Sequence, residues 1–205
     1  MIGVLDIGMG NLRSMVNAID QNGFDPMIVR DTSAFDDLTH LVIPGVGNFG
    51  AAMAEIGTRN LGHGIRAFAD SGRPLLGVCL GMHLLAGQGE EGGSTDGLGL
   101  IAGVVRKLEP GSNFRVPHVG WNVLQQCQDH PVFEGIKANR DFYYVHSFAM
   151  ICDSEKNVLG TTDYGAPVTA VVGRNNVLGF QFHPEKSQTS GLKLIENFCL
   201  WDGQC

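Results

Sequence analysis

Residues 74–85, Pro-Leu-Leu-Gly-Val-Cys-Leu-Gly-Met-His-Leu-Leu, decide the fold of this chain. The apolar run 74–78 predicts a buried strand, and the apolar pattern that begins at Met82 predicts a helix. Between them lies Gly77-Val78-Cys79-Leu80-Gly81, a Gly-x-Cys-x-Gly sequence typical of a nucleophile elbow, in which glycines relieve crowding around a strained turn. A helix N-terminus also favours a thiolate. Cys79 is therefore the candidate nucleophile.

Strand and helix patterns alternate outward from this stretch. In the first half, strands are predicted at 2–6, 27–29, 41–43 and 74–78, with helices at 11–21 and 49–70, the latter interrupted near Gly57 and Gly62. The second half is richer in strands, at 98–105, 116–126, 142–148, 157–162, 168–172 and 177–182, before a helix at 191–201. This order predicts an α/β fold, with a central, mostly parallel sheet flanked by helices in one domain over residues 1–205.

Composition excludes several classes of protein. The 205 residues carry a net charge of -7, which argues against nucleic acid as a partner. The sequence predicts neither a membrane span nor an export signal, so we expect a cytoplasmic protein. The five cysteines are scattered and form no Cys-x-x-Cys pair. We therefore expect neither a disulfide framework nor a metal site.

A second candidate motif is Phe-Gln-Phe-His-Pro-Glu at 180–185, at the end of a predicted strand. Pro184 favours an extended conformation at His183, so His183 and Glu185 can project to the same side. A carboxylate in that position would orient the imidazole and stabilise its charged form. Because active sites of α/β proteins collect at the carboxyl ends of parallel strands, we expect Cys79, His183 and Glu185 to form a catalytic triad.

A third motif, Pro-Gly-Val-Gly at 44–47, also follows a predicted strand. Gly45 and Gly47 leave the backbone around Val46 free of side chains. Backbone N–H groups exposed in this way, together with that of Leu80, could form an oxyanion hole.

Each motif taken alone also has a purely structural explanation. Cys79 could be a small buried residue at a strand end, His183 a surface histidine beside a carboxylate, and residues 44–47 an ordinary Pro-Gly turn. The presence of all three motifs after buried strands favours the functional interpretation.

The three motifs together resemble the triad-type (class I) glutamine amidotransferases: GVCLGM at 77–82, FHPEKS at 182–187 and PGVG at 44–47. Three further segments resemble the glutaminase subunits of imidazole glycerol phosphate synthase: GMGNLRS at 8–14, PHVGWN at 117–122 and YYVHS at 143–147. The resemblance implies hydrolysis of L-glutamine to glutamate and ammonia without a cofactor. It also implies a heterodimer with a cyclase subunit of (β/α)8 barrel fold, which would use the ammonia in histidine biosynthesis.

The same resemblance implies further site residues. His83 and Glu91 would line the glutamine pocket, and the backbone around Ser147 and Phe148 would hold the α-amino-acid end of the substrate. Position 83 departs from the family, which usually has glutamine there. Residues expected to face the partner subunit are Asn11, Trp121, Tyr143 and Lys186.

Some of these residues also have structural interpretations. His83 could face solvent on the helix, and Trp121 and Tyr143 could be core or rim aromatics. His118 and His146 have no triad partner in the sequence, so we interpret them as structural or interfacial.

Three other functions remain open. A related amidotransferase subunit could feed ammonia to a sugar-nucleotide or surface-polysaccharide amination enzyme. The unusual Gly8, with Ile7 in place of the family's usual aromatic residue, and His83 leave room for that. The altered pocket at His83 leaves room for a regulatory protein without glutaminase activity. A cysteine peptidase would use the same Cys-His pair, but it would not account for the PGVG and VHS segments.

Overall fold

The central strands are apolar at nearly every position because both faces of the sheet are covered. The computed structural model describes residues 1–204. Its longer strands are β1 (Ile2–Leu5), β2 (Pro26–Val29), β3 (His40–Gly45), β4 (Leu75–Cys79), β7 (Gly103–Lys107), β8 (His118–Gln126), β9 (Arg140–His146), β10 (Phe148–Cys152), β11 (Val158–Asp163), β12 (Pro167–Arg174) and β13 (Val177–Phe180). Two short strands are β5 (Gln88–Gly89) and β6 (Thr95–Asp96).

Five α-helices connect or cover these strands: α1 (Leu12–Gln21), α2 (Phe49–Thr58), α3 (Leu61–Asp70), α4 (Leu80–Leu84) and α5 (Gln188–Leu200). Short 3-10 turns lie at Thr32–Asp37, Pro131–Phe133, Glu155–Asn157 and Pro184–Lys186. Asn11 caps α1, since its side-chain oxygen accepts a hydrogen bond from the backbone N–H of Ser14 at 3.3 Å.

The main sheet has nine strands in the order β2-β1-β3-β4-β13-β12-β11-β8-β9. Strands β2, β1, β3, β4 and β13 run parallel, and the pairs from β13 to β9 are antiparallel. A second sheet has the order β10-β7-β5-β6. The predicted α/β fold is confirmed, with a strand-rich second half and a mixed sheet.

Two apolar clusters cover the two faces of the main sheet. Successive residues of a strand alternate between them: Leu41 and Ile43 belong to the cluster under α2 and α3, whereas Val42 belongs to the one under α1 and α5. The parallel half therefore lies between helices on both faces.

Several predicted boundaries change in the structure. The predicted strand 98–105 begins only at Gly103, because Leu98 and Leu100 donate backbone hydrogen bonds to Leu84 and Leu85 instead. The segment 49–70 is two helices that meet at Asn60, which has a left-handed backbone (φ +54°). The apolar stretch 142–148 leaves the main sheet at Ser147 and enters the second sheet as β10.

The strands that carry the three motifs are neighbours. Gly45 at the end of β3 pairs with Cys79 at the end of β4, and Phe180 at the end of β13 pairs with Val78. The PGVG, elbow and His-Pro-Glu segments therefore leave the sheet side by side.

Candidate active site

Cys79 stands on a strained turn between β4 and α4. Its backbone has φ +54° and ψ -109°, a conformation that residues with a side chain rarely adopt. The flanking glycines make this turn possible. A Cβ on Gly77 would overlap the carbonyl of Gly81, and a Cβ on Gly81 would overlap the carbonyl oxygen of Ile43. The glycines of the elbow are therefore required by close backbone approach.

His183 and Glu185 form a buried pair beside this turn. His183 Nδ1 lies 2.9 Å from Glu185 Oε1, and the two side chains are 3% and 4% exposed. The backbone is fixed by Ser187, whose hydroxyl donates to the carbonyl of His183 at 2.6 Å. The carboxylate thus orients the ring so that Nδ1 carries a proton and Nε2 is free for chemistry.

The sulfur of Cys79 interacts with this imidazole. Burial disfavours the charged ring, but hydrogen bonding and charge from Cys79 and Glu185 outweigh it and raise the pKa of His183 to about 9. Nε2 of His183 is buried and has no well-aligned hydrogen-bond partner in residues 1–204, as is common for catalytic pairs before substrate binds. The Cys79 thiol instead makes a long contact with the carbonyl of Val145, at 3.9 Å.

A cavity of about 350 Å³ opens in front of Cys79. It is lined by most of the residues that sequence analysis assigned to the oxyanion hole and the substrate: Val46, Gly47, Leu80, His83, Glu91, Ser147 and Phe148. Gly47 has φ +125°, which favours glycine. Gly45 does not line the cavity, since it lies behind the wall against the side chain of Leu80.

His83 is buried at the cavity wall, so the solvent-facing interpretation is wrong. Its Nε2 lies 2.7 Å from Gln181 Oε1. Burial lowers the pKa of His83, although Gln181 and Glu91 oppose the shift. Glu91 accepts a hydrogen bond from the backbone N–H of Phe49 at 2.7 Å. A neutral imidazole and a carboxylate therefore face the cavity together.

The residues expected at a partner surface are accessible. Trp121 is 48% exposed, and its ring lies edge-on to Tyr143 with 6.0 Å between centroids. Lys186 extends over the Tyr143 ring, with Nζ 5.9 Å from the centroid. Asn11 is exposed and follows Gly10, which lies against the backbone of Pro44 in the PGVG segment. The carbonyl of Tyr143 accepts a hydrogen bond from the N–H of His183 at 2.9 Å, so this surface adjoins the His183–Glu185 pair.

Sequence reasoning missed two features of the site. Gln181 fixes His83, and His146, which lines the cavity, contacts His118 at 3.0 Å between Nε2 and Nδ1. Gln181 lies in the Phe-Gln-Phe-His-Pro-Glu motif itself, where strand alternation could have indicated it. The histidine pair joins residues 28 positions apart, so only the pairing of β8 with β9 brings it together.

Other candidate sites are limited. In residues 1–204, no helix has the length and apolar character needed to cross a membrane, and no cluster of three His, Cys, Asp or Glu side chains could hold a metal. Cys79, Cys127, Cys152 and Cys199 are free thiols. Cys205 lies outside the described residues.

A family model with the description "Glutamine amidotransferase class-I" matches residues 3–201. This chain belongs to the class-I glutamine amidotransferases. The matched residues include the elbow, the His-Pro-Glu segment and the PGVG segment. The predicted family and a glutamine-hydrolysing enzyme are thereby confirmed.

Two bacterial relatives match this chain over nearly its whole length. The chain is 43% identical to imidazole glycerol phosphate synthase subunit HisH 2 of Nitrobacter winogradskyi, with 98% of each chain covered. It is also 43% identical to the HisH subunit of Sulfurimonas denitrificans, with 97% of each covered.

Solved amidotransferase structures share the fold. A crystal structure of a glutamine amidotransferase superposes with a TM-score of 0.77 at 21% identity, covering 97% of both chains. The structure of PurLQS from Thermotoga maritima gives a TM-score of 0.76 at 21% identity, covering 97% of this chain and 96% of that one.

Proposed function

We propose that this chain is the glutaminase subunit of an imidazole glycerol phosphate synthase, hydrolysing glutamine and supplying ammonia to a cyclase subunit. The observation that carries the proposal is the position of the Cys79 sulfur, at the cavity wall beside the His183–Glu185 pair. The choice of synthase rests on relatives of that name that match nearly the full length. They give no support to the sugar-amination alternative, and an intact Cys-His-Glu set argues against a regulatory protein without activity.

In the proposed reaction, the Cys79 thiolate attacks the side-chain amide carbon of glutamine. The resulting oxyanion would accept hydrogen bonds from backbone N–H groups near Val46 and Gly47 and from that of Leu80. Leu80 is the first residue of α4, so its N–H has no acceptor within that helix. Protonated His183 gives its proton to the departing nitrogen, so ammonia leaves and a glutamyl thioester remains.

Water then completes the cycle. Neutral His183 takes a proton from a water molecule as its oxygen attacks the thioester carbon. Collapse of this second tetrahedral intermediate breaks the C–S bond and restores the thiolate beside the imidazolium. The product leaves as its side-chain carboxylic acid, which loses a proton to solvent to give glutamate. Glu185 acts throughout by holding the ring and stabilising its charge.

The pocket residues have corresponding roles in this proposal. His83 and Glu91 offer one neutral and one charged polar group to the substrate. The backbone at Ser147 and Phe148 would bind its α-amino-acid end. Asn11, Trp121, Tyr143 and Lys186 would face the cyclase subunit, whose (β/α)8 barrel and heterodimeric assembly remain predictions. So do the absence of a cofactor, the cytoplasmic location and a single domain over residues 1–205.

Substitution of the nucleophile tests the proposal. In the complex reconstituted with a candidate cyclase subunit, Cys79→Ala should abolish turnover with glutamine, because no other group can form the thioester. Turnover with added ammonium salt should stay within about twofold of wild type, since the acceptor chemistry belongs to the other subunit. Both rates are measured as formation of imidazole glycerol phosphate. Loss of both activities would contradict this division of labour, and Cys127→Ala, at an exposed cysteine, is the control.

A further inference from the structure

His118 and His146 lie opposite each other on β8 and β9, and both are buried, at 2% and 5% exposure. His146 Nδ1 lies 2.8 Å from the backbone carbonyl of Phe148. His146 Nε2 lies 3.0 Å from His118 Nδ1, and His118 Nε2 lies 3.3 Å from Asn122 Nδ2. The three contacts form a continuous chain from the strand that carries Trp121 to the wall of the glutamine cavity.

Donor and acceptor rules fix the direction of this chain. The carbonyl of Phe148 can only accept, so His146 carries its proton on Nδ1 and presents Nε2 as an acceptor. His118 must then donate from Nδ1, and its own Nε2 must accept from Asn122. Asn122 is oriented for this role, because its Oδ1 accepts from the N–H of Val123 at 2.8 Å and its Nδ2 also donates to the carbonyl of Asp163 at 2.8 Å.

The chain requires both rings to be neutral. Protonation of either ring would set two N–H groups against each other. Burial favours the neutral forms, lowering the pKa of His118 to about 4 and that of His146 to about 3. The His118 ring is also held between two tyrosines, 4.8 Å from the centroid of Tyr144 and 3.9 Å from that of Tyr164. Stacking and hydrogen bonds thus leave this ring a single orientation.

We propose that His118 and His146 are positioning residues that hold the Ser147–Phe148 wall of the glutamine cavity in its binding conformation. The bond from His146 to the carbonyl of Phe148 spans Ser147, the point where the chain passes from the main sheet to the second sheet. Both Ser147 and Phe148 line the cavity. Without His118, His146 is free to move its proton to Nε2 and release that carbonyl. This role rests on the proposed glutaminase function, but the hydrogen-bond chain itself does not.

Kinetics of a matched set of variants test the role. His118→Phe keeps an aromatic ring between the tyrosines but removes both nitrogens, and it should raise KM for glutamine roughly tenfold while kcat stays within about twofold. His118→Asn places an amide N–H near the position of Nδ1 and should return KM to within about threefold of wild type. The control is His40→Phe, which removes a histidine bonded to the carbonyl of Trp201 at the opposite end of the sheet. The His40→Phe control should change neither KM nor kcat.

A spectroscopic measurement tests the chain independently of activity. Imidazole ¹⁵N shifts of the wild-type full chain at neutral pH should show the Nδ1–H form for both rings. An Nε2–H form for either ring would overturn the proposal, as would an unchanged KM in His118→Phe. If the wild-type complex does not hydrolyse glutamine, the proposed function fails, whereas the ¹⁵N shifts still decide whether the hydrogen-bond chain exists.

Discussion

The absence of a side chain at Gly81 helps to set the position of Cys79, the proposed nucleophile. The carbonyl of Ile43 occupies the place where a Cβ of residue 81 would lie, so β3 and α4 approach each other directly at the elbow. The strained backbone of Cys79 is held in place by this contact between neighbouring elements. The glycines of the elbow could be identified from the sequence. The structure adds the backbone atoms that leave no room for a side chain at these two positions.

A pair of glycine substitutions with opposite effects tests this account. Gly81→Ala should lower the free energy of unfolding by about 2–3 kcal/mol, because backbone must move to admit the methyl group. Gly57→Ala should raise it by about 0.5–1 kcal/mol, because Gly57 lies inside α2 with open space around its Cα. Urea unfolding of both variants measures the two changes. Equal effects of the two substitutions would contradict the account.

At the scale of the element, the sequence predicted strands and helices well wherever burial imposed a pattern. Apart from His40 at the start of β3, the strands β3, β4 and β13 are apolar because they lie between two layers. Their predicted bounds are close to the observed ones. The two-residue strands β5 and β6 were missed, since so short a segment has no periodicity. The passage from β9 to β10 at Ser147 was missed because the side-chain pattern continues across it.

The sequence pattern predicted a break between α2 and α3 but placed it only approximately. The predicted interruption lay near Gly57 and Gly62, but both glycines are helical, and the chain turns at Asn60. Asparagine tolerates the left-handed conformation better than other residues with a side chain. The two helices are therefore separated at Asn60, whose backbone adopts the left-handed conformation.

Substitution at this position should distinguish backbone strain from side-chain contacts. Asn60→Val should lower the free energy of unfolding by about 1–2 kcal/mol, because a β-branched residue is strained at φ +54°. Asn60→Gly should leave it unchanged or raise it, since the asparagine side chain makes no capping hydrogen bond there. Thr58→Val, at an exposed helical position, is the control. Thermal unfolding followed by circular dichroism reports each change, and equal losses in the valine and glycine variants would refute the strain argument.

The stability of the whole molecule should depend on pH through the charge of His183. Its pKa is about 9 in the folded chain and about 6.5 in the unfolded one. The contacts of His183 with Cys79 and Glu185 therefore stabilise the folded chain fully below about pH 6.5. This stabilisation is lost as pH rises through about 9. We expect the difference in unfolding free energy between wild type and Glu185→Gln to be larger near pH 6 than near pH 10. Urea titrations at the two pH values measure it, and a difference that grows with pH would contradict the assignment.

The proposed binding of a cyclase subunit also concerns the whole molecule. Trp121 offers a large exposed ring that packs edge-on against Tyr143. Trp121→Ala should weaken binding of the cyclase subunit about tenfold to hundredfold, because exposed aromatic anchors carry much of the energy of an interface. Leu200→Ala, at a residue 67% exposed near the opposite end of the sheet, should not. Titration calorimetry measures both affinities, and equal effects would place the interface elsewhere.

The edge of the main sheet at β9 is covered by the chain's own active-site segment. The N–H of Tyr143 donates to the Ser187 hydroxyl at 3.0 Å, and its carbonyl accepts from the N–H of His183 at 2.9 Å. Exposed strand edges are templates for aggregation. Loss of the Ser187 hydroxyl would uncover part of this edge and also loosen His183, the proposed catalytic base. Insolubility and inactivity would then arise together from a change at one atom.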